Sequence, residues 1–184
     1  MTDLKEPLRR KVVLVEDHPL FRERLGQLIN KDVGMAVCGE SDNIREAMAI
    51  ITREQPDIAI VDITLRGSSG LELIKDLKAQ GIDIPVLVLS MHEESLYAER
   101  VLRAGAKGYI TKNEASSEII LAIRQVLAGE VYVSSRVTAG ILKRMSGKGA
   151  TVEHSGMDLL TDRELEVFQL TGRGLNSREI AEQL

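Results

Sequence analysis

Up to residue 128, short apolar runs alternate with amphipathic stretches five times. Runs such as Val12-Val13-Leu14-Val15 and Ile58-Ala59-Ile60-Val61 are rich in Val and Ile without polar interruption, the pattern of strands buried on both faces. The pattern predicts strands at 11–16, 35–40, 57–62, 85–90 and 107–110, and helices at 19–30, 43–54, 70–79, 94–104 and 115–128. Pro19 suits a first helical turn, where its missing N–H costs nothing. Gly129 stands where a helix C-cap is expected. Over 115–128, Ile119, Ile120, Ile123, Val126 and Leu127 form one stripe, with Glu118, Arg124 and Gln125 away from it. Such βα alternation implies a doubly wound, five-stranded parallel sheet with right-handed crossovers.

After residue 128 the pattern changes. Val137 to Met145 allows one short helix, and Ser146 to Asp158 is a Gly- and Ser-rich linker. His154 lies in that linker with no second metal ligand near it in sequence. A new helical unit begins at Thr161, an N-cap with Glu164 three residues on, the pattern of a capping box. Leu165, Val167, Phe168 and Leu170 are its expected apolar face, and Gly172 and Gly174 break it. Asn176 or Ser177 caps a second helix with Ile180, Ala181 and Leu184. Two helices of roughly six turns in all do not bury a self-sufficient core, so a further packing partner is expected.

Composition narrows the class. Hydrophobic residues make up 43% of the chain, but aromatics only 3% and Trp none, so the core must be aliphatic. Net charge is −4, with 17 Lys/Arg against 20 Asp/Glu up to residue 128 and 7 against 8 beyond it. Neither part is basic, so any nucleic-acid surface must be local or missing. Cys38 is the single cysteine, which excludes an internal disulfide and fits a buried, reduced thiol in a cytoplasmic protein. No apolar run reaches the roughly 18 residues of a membrane span.

The candidate chemistry sits where strands end. The first strand closes in Glu16-Asp17 and the third in Asp62; Ser90 closes the fourth, and Lys112 follows the fifth. In an open α/β sheet, sites are built at this edge. Three carboxylates, a hydroxyl and a lysine would make a site for a hard cation such as Mg2+, which favours oxygen ligands. A carboxylate there can attack phosphorus, with a cation and Lys112 stabilising the charge in transit and Ser90 bonding the phosphoryl oxygens. Plainer roles stay open. Asp62 would also cap its loop, Ser90 would end a strand, and Lys112 would be a solvated lysine or half of a bare ion pair.

These residues resemble a bacterial response-regulator receiver domain over 11–128. Glu16-Asp17 matches the family's acidic pair, Asp62 its phosphoacceptor, Ser90 its hydroxyl position and Lys112 its lysine. The first strand reads VVLVEDHP, and Asp-His-Pro is typical of one subfamily. Residues 158–184, DLLTDRELEVFQLTGRGLNSREIAEQL, resemble the first half of the LuxR-type helix-turn-helix of NarL/FixJ regulators. The resemblance implies a receiver at 8–128, a linker at 129–157 and a partial DNA-binding domain at 158–184 without its recognition helix. It implies phosphotransfer from a sensor histidine kinase to Asp62, and control of transcription at promoter DNA. It also implies a homodimer on phosphorylation, and Mg-dependent self-phosphorylation and slow self-dephosphorylation at Asp62 without steady enzymatic turnover. Mg2+ would be held by Glu16, Asp17, Asp62 and the backbone carbonyl of Thr64. Ser90 and Tyr109 would form the switch, Tyr109 moving into space vacated as Ser90 is drawn inward; a strand aromatic with no such role is the alternative.

Two departures stand out. Where the family often has Met-Pro-Gly after the phosphoacceptor, this chain has Leu65-Arg66-Gly67. Loss of the proline is expected to loosen the loop, and Arg66 adds charge near the site. The chain also ends after the second helix of the output domain, so promoter DNA is expected as a partner of the intact protein, and weakly or not at all of this chain. Two rival readings are a phosphatase with an aspartyl nucleophile and a module that signals by protein contact alone. The phosphatase would need a second acid two residues after Asp62, where Thr64 stands.

Overall fold

The computed structural model describes residues 9–91, 95–135, 137–139, 142, 160–172 and 174–183. Five long βα units appear in the predicted order. They are β1 (Arg10–Val15), α1 (Pro19–Lys31), β2 (Met35–Ser41), α2 (Ile44–Glu54) and β3 (Ile58–Asp62). A small hairpin, β4 (Thr64–Leu65) and β5 (Ser68–Ser69), precedes α3 (Gly70–Ala79). Then follow β6 (Val86–Ser90), α4 (Ser95–Ala104), β7 (Gly108–Thr111), α5 (Lys112–Leu127) and β8 (Tyr132–Val133). Two further helices, α6 (Asp162–Gly172) and α7 (Ser177–Gln183), lie in the C-terminal stretch.

The main sheet is parallel, in the order β2-β1-β3-β6-β7-β8. Alternation along each strand divides the core into two layers. Val13, Val15, Ala59, Val61, Val86, Val88 and Tyr109 face the layer that holds α2, α3 and α4 residues. Val12, Leu14, Ile58, Ile60, Leu87, Leu89 and Ile110 face α1 and α5. All these residues are at most 3% exposed, which explains why the strands read as unbroken apolar runs.

The structure differs from expectation in several places. The sheet has six strands, because Tyr132–Val133, in the stretch expected as linker, pairs with Gly108 and Tyr109 of β7. The side chain of Tyr132 anchors this strand by donating to Glu118 of α5 at 2.5 Å. Helix α5 starts at Lys112, three residues earlier than predicted, because Thr111 and Glu114 form a capping box. The loop after β3, where the proline is absent, forms the unpredicted β4–β5 hairpin, its turn closed by Gly67 at φ 72°. Cys38 is half-buried rather than buried, its thiol directed at the Val12 carbonyl 3.4 Å away.

Of the possible helix 137–145, Val137 to Ala139 are helical, and most of the remainder lies outside the described residues, as do linker residues 146–158 and His154. The Thr161–Glu164 capping box forms as predicted. Asn176 is the cap of α7, accepting from the N–H groups of Arg178 and Glu179. Leu165 and Leu170 are buried, but Phe168 is 55% exposed and Val167 38%, so the apolar face of α6 is narrower than expected.

Candidate functional site

The C-terminal edge of the sheet gathers Glu16, Asp17, Asp62 and Lys112. Glu16 and Asp17 directly follow β1, and Asp62 is the last residue of β3. Since β1 lies beside β3 in register, the three carboxylates arrive at one edge without any long loop. Lys112 enters from the first turn of α5. Its Nζ donates to Asp62 Oδ2 at 2.7 Å and to Glu16 Oε1 at 2.8 Å, and lies 2.7 Å from Glu16 Oε2. Lys112 is 6% exposed, Asp62 1% and Glu16 fully buried, so the pairing takes place away from bulk water. The ring of Phe21 lies 5.0 Å from the same Nζ and adds a cation–π contact.

Ser90 closes β6 and is fully buried. Asp62 pairs with Leu89, so Ser90 stands one position beyond it on the neighbouring strand, paired with Thr111. Thr64 donates its backbone N–H to Asp62 Oδ1 at 3.3 Å, which holds the first residues after β3 against the carboxylate. Tyr109, expected as a switch or as a strand aromatic, is fully buried in the layer that contains Tyr97, Ala98 and Val101 of α4. It pairs with Val88 on one side and Val133 on the other.

The electrostatics follow from burial. Desolvation and the neighbouring Glu16 push the Asp62 carboxyl up to about 7, against the opposing pull of Lys112 and the Thr64 N–H. Burial works against the ammonium of Lys112, but the Asp62 and Glu16 carboxylates outweigh it and hold its pKa above the ordinary value. Two oxygens in the cluster, Glu16 Oε2 and Asp17 Oδ1, are buried without a hydrogen-bond partner. Lys112 Nζ lies within ion-pair distance of Glu16 Oε2, but without the geometry of a hydrogen bond. Buried carboxylate oxygens left in that condition are costly, and a hard divalent cation is a partner that fits them. The donor set therefore suits a divalent metal.

Several neighbours were not singled out from sequence as site residues. His18 Nδ1 is 2.9 Å from both Glu16 Oε1 and Asp17 Oδ1. Arg22 donates to the backbone carbonyl of Glu16. Gly70 packs so closely on the end of β3 that an added Cβ would lie 2.1 Å from the Asp62 carbonyl oxygen. The Glu16-Asp17-His18 run was a visible signal for His18. Gly70 had none, because its approach to Asp62 is set by the hairpin. Arg66, expected near the site, places Nε 3.6 Å from Asp17 Oδ2 while staying 82% exposed.

The model of the response regulator receiver domain matches residues 12–124. The chain belongs to this family. Its similarity to the nitrate/nitrite response regulator protein homolog of Haemophilus influenzae is 32% identity over 174 residues, covering 95% of this chain and 81% of that protein. The DNA-binding transcriptional activator DevR/DosR of Mycobacterium tuberculosis is 31% identical, with 95% and 79% covered. A LuxR-family two-component response regulator structure from Aurantimonas sp. SI85-9A1 superposes with a TM-score of 0.71 at 32% identity, over 74% of this chain and 98% of that one. The protein is thus a two-component response regulator of the NarL/LuxR type, a signalling protein rather than a conventional enzyme. No helix among the described residues is long and apolar enough to cross a membrane.

Proposed function

We propose that Asp62 accepts a phosphoryl group from a phosphohistidine of a sensor histidine kinase and that this controls a DNA-binding output. The observation that carries the reading is Lys112 Nζ, buried and bonded to both Asp62 and Glu16. A carboxylate oxygen of Asp62 attacks phosphorus, the O–P bond forms as the P–N bond breaks, and the histidine imidazole leaves. Lys112 exchanges its carboxylate contact for a phosphoryl oxygen, and the Ser90 hydroxyl bonds another. Glu16, Asp17, Asp62 and the Thr64 carbonyl would hold Mg2+, whose charge would offset that of the transferred group. Thr64 offers no carboxyl general acid at the position where an aspartyl phosphatase needs one, which favours slow self-dephosphorylation over steady turnover.

The route to the output begins at the Ser90–Tyr109 pair. Tyr109 lies on β7, beside α4 residues in the core, so a shift of Ser90 towards the phosphoryl group would reshape the 94–128 surface. The response is homodimerisation and release of the helical output. Residues 8–128 form the receiver, 129–157 the connection and 158–184 the first part of a LuxR-type helix-turn-helix, with β8 as an ordered start to the connection. The DNA-binding activator from M. tuberculosis supports promoter DNA as the output's partner. A cytoplasmic setting goes with a kinase partner and with the lone Cys38.

Labelling by acetyl phosphate or a cognate kinase, with Mg2+ present, tests the assignment. Wild type should be labelled, and Asp62→Ala should not. Undiminished labelling of Asp62→Ala would defeat it. Brisk hydrolysis of phosphate esters would favour the phosphatase instead. A gel shift comparing this chain with one extended by about thirty residues, enough for a recognition helix and one more, tests DNA binding.

A further inference from the structure

His18 carries chemistry that the phosphotransfer reading does not use. It is the N-cap of α1, a position where a side-chain oxygen usually accepts from the first turn, yet its ring makes no capping bond. Pro19 follows it and favours an extended backbone, here φ −87° and ψ 105°. The backbone N–H of His18 is tied to Glu16 Oε1 at 3.0 Å. With the backbone so held, the ring is turned to the acids: Nδ1 is hydrogen-bonded to Glu16 Oε1 at 2.9 Å and lies 2.9 Å from Asp17 Oδ1.

The 2.9 Å between Nδ1 and Asp17 Oδ1 matches two ligands on one ion. Two donors in cis positions at about 2.1 Å from a metal stand about 3.0 Å apart. The buried oxygen Asp17 Oδ1 is unpartnered in spite of its 2.9 Å approach to the ring, because that contact lacks hydrogen-bond geometry. The ring therefore shares a point with this oxygen without satisfying it. One donor atom from each of Glu16, Asp17, His18 and Asp62 falls within 4.8 Å of the others. The His18 side chain is 66% exposed, so an ion reaches the ring directly from solvent.

We infer that His18 is a nitrogen ligand of this cation site, and that the site takes imidazole-favouring divalent ions of the zinc, nickel and cobalt group as well as Mg2+. The inference rests on the cation site proposed above. Oxygen ligands alone suit Mg2+ and Ca2+, whereas imidazole selects the later transition metals. An ion held by His18 occupies the same carboxylate oxygens as Mg2+, so it competes with Mg2+ and with phosphorylation that depends on Mg2+.

Titration of the full chain with Co2+ and, separately, Mg2+ tests this by calorimetry and by the visible absorption of bound Co2+. Wild type should bind both. His18→Ala and His18→Gln should each lose Co2+ affinity by about tenfold or more, a loss that even outer-sphere partners of a metal can cause. Their Mg2+ affinity should stay within about twofold, and the Co2+ spectrum should change shape. Asp17→Asn should weaken both ions. Equal Co2+ affinity and spectra in wild type and both His18 variants overturn the inference while leaving the Mg2+ site standing. Binding of both ions untouched by Asp17→Asn overturns the cation site itself, and the inference with it.

Discussion

Lys112 Nζ lies 2.7 Å from Asp62 Oδ2, joining residues fifty positions apart at the start of α5 and the end of β3. Both are buried, and Glu16 shares the same ammonium. Removing one partner of a buried ion pair leaves a charge with neither water nor counter-ion. Lys112→Met should therefore lower unfolding stability by about 3 kcal/mol without added divalent ions. Urea denaturation at neutral pH measures it, and a loss below about 1 kcal/mol would mean that the pair is dispensable for folding. Labelling at Asp62 should fall sharply in the same variant even where it is fully folded.

Asp62 should behave in the opposite sense. Its raised pKa records that the ionised carboxylate is held unfavourably by burial and by Glu16. Asp62→Asn keeps the shape and removes that charge, while Lys112 retains Glu16. The variant should melt at or above the wild-type temperature in chelator, yet lose phosphorylation. A clear drop in Tm would show that the Lys112–Asp62 attraction outweighs the repulsion. Such opposed effects on stability and chemistry mark a residue retained for what it does.

Much of this site was legible in the chain because each acid ends an apolar run, and a run buried on both faces has little freedom in where it stops. Glu16, Asp17 and Asp62 could be assigned to one edge from strand pattern alone, and β1 and β3 are in fact neighbours. Lys112 was expected just after the fifth strand and follows β7 there; what the pattern did not show is that the Thr111–Glu114 capping box makes it the first residue of α5. The Tyr132–Val133 strand was missed, since two residues carry no periodicity and their order comes from pairing with β7 and from Glu118. The exposure of Phe168 was likewise unreadable, because an apolar side chain does not announce whether a partner covers it.

Gly70 should tolerate no side chain. A Cβ there would stand 2.1 Å from the Asp62 carbonyl oxygen and 2.9 Å from Val61 Cγ1. The first obstacle is backbone, so the end of β3 or the start of α3 must move. Gly70→Ala should cost about 1–3 kcal/mol or more, as overpacking of a tight interior does. It should also slow phosphorylation of Asp62 by displacing the carboxylate. Wild-type stability together with wild-type labelling would show that the contact yields without moving Asp62.

The last expectation concerns pH. In the unfolded chain Asp62 titrates near 3.9, whereas in the fold it is raised to about 7. Between those values the folded state keeps a proton that the unfolded chain has released. Unfolding stability without divalent ions should therefore fall as pH rises from about 4 to about 7, and this contribution should be level outside that window. A divalent cation binds the ionised carboxylates, so it opposes the fall and competes with the proton. Stabilisation by millimolar Mg2+, read as a rise in Tm, should be small at about pH 5.5 and larger at about pH 8. In Asp62→Asn the proton has no such site, so the difference between the two pH values should shrink. A Mg2+ effect of equal size at both pH values in wild type would mean that the ion binds away from Asp62.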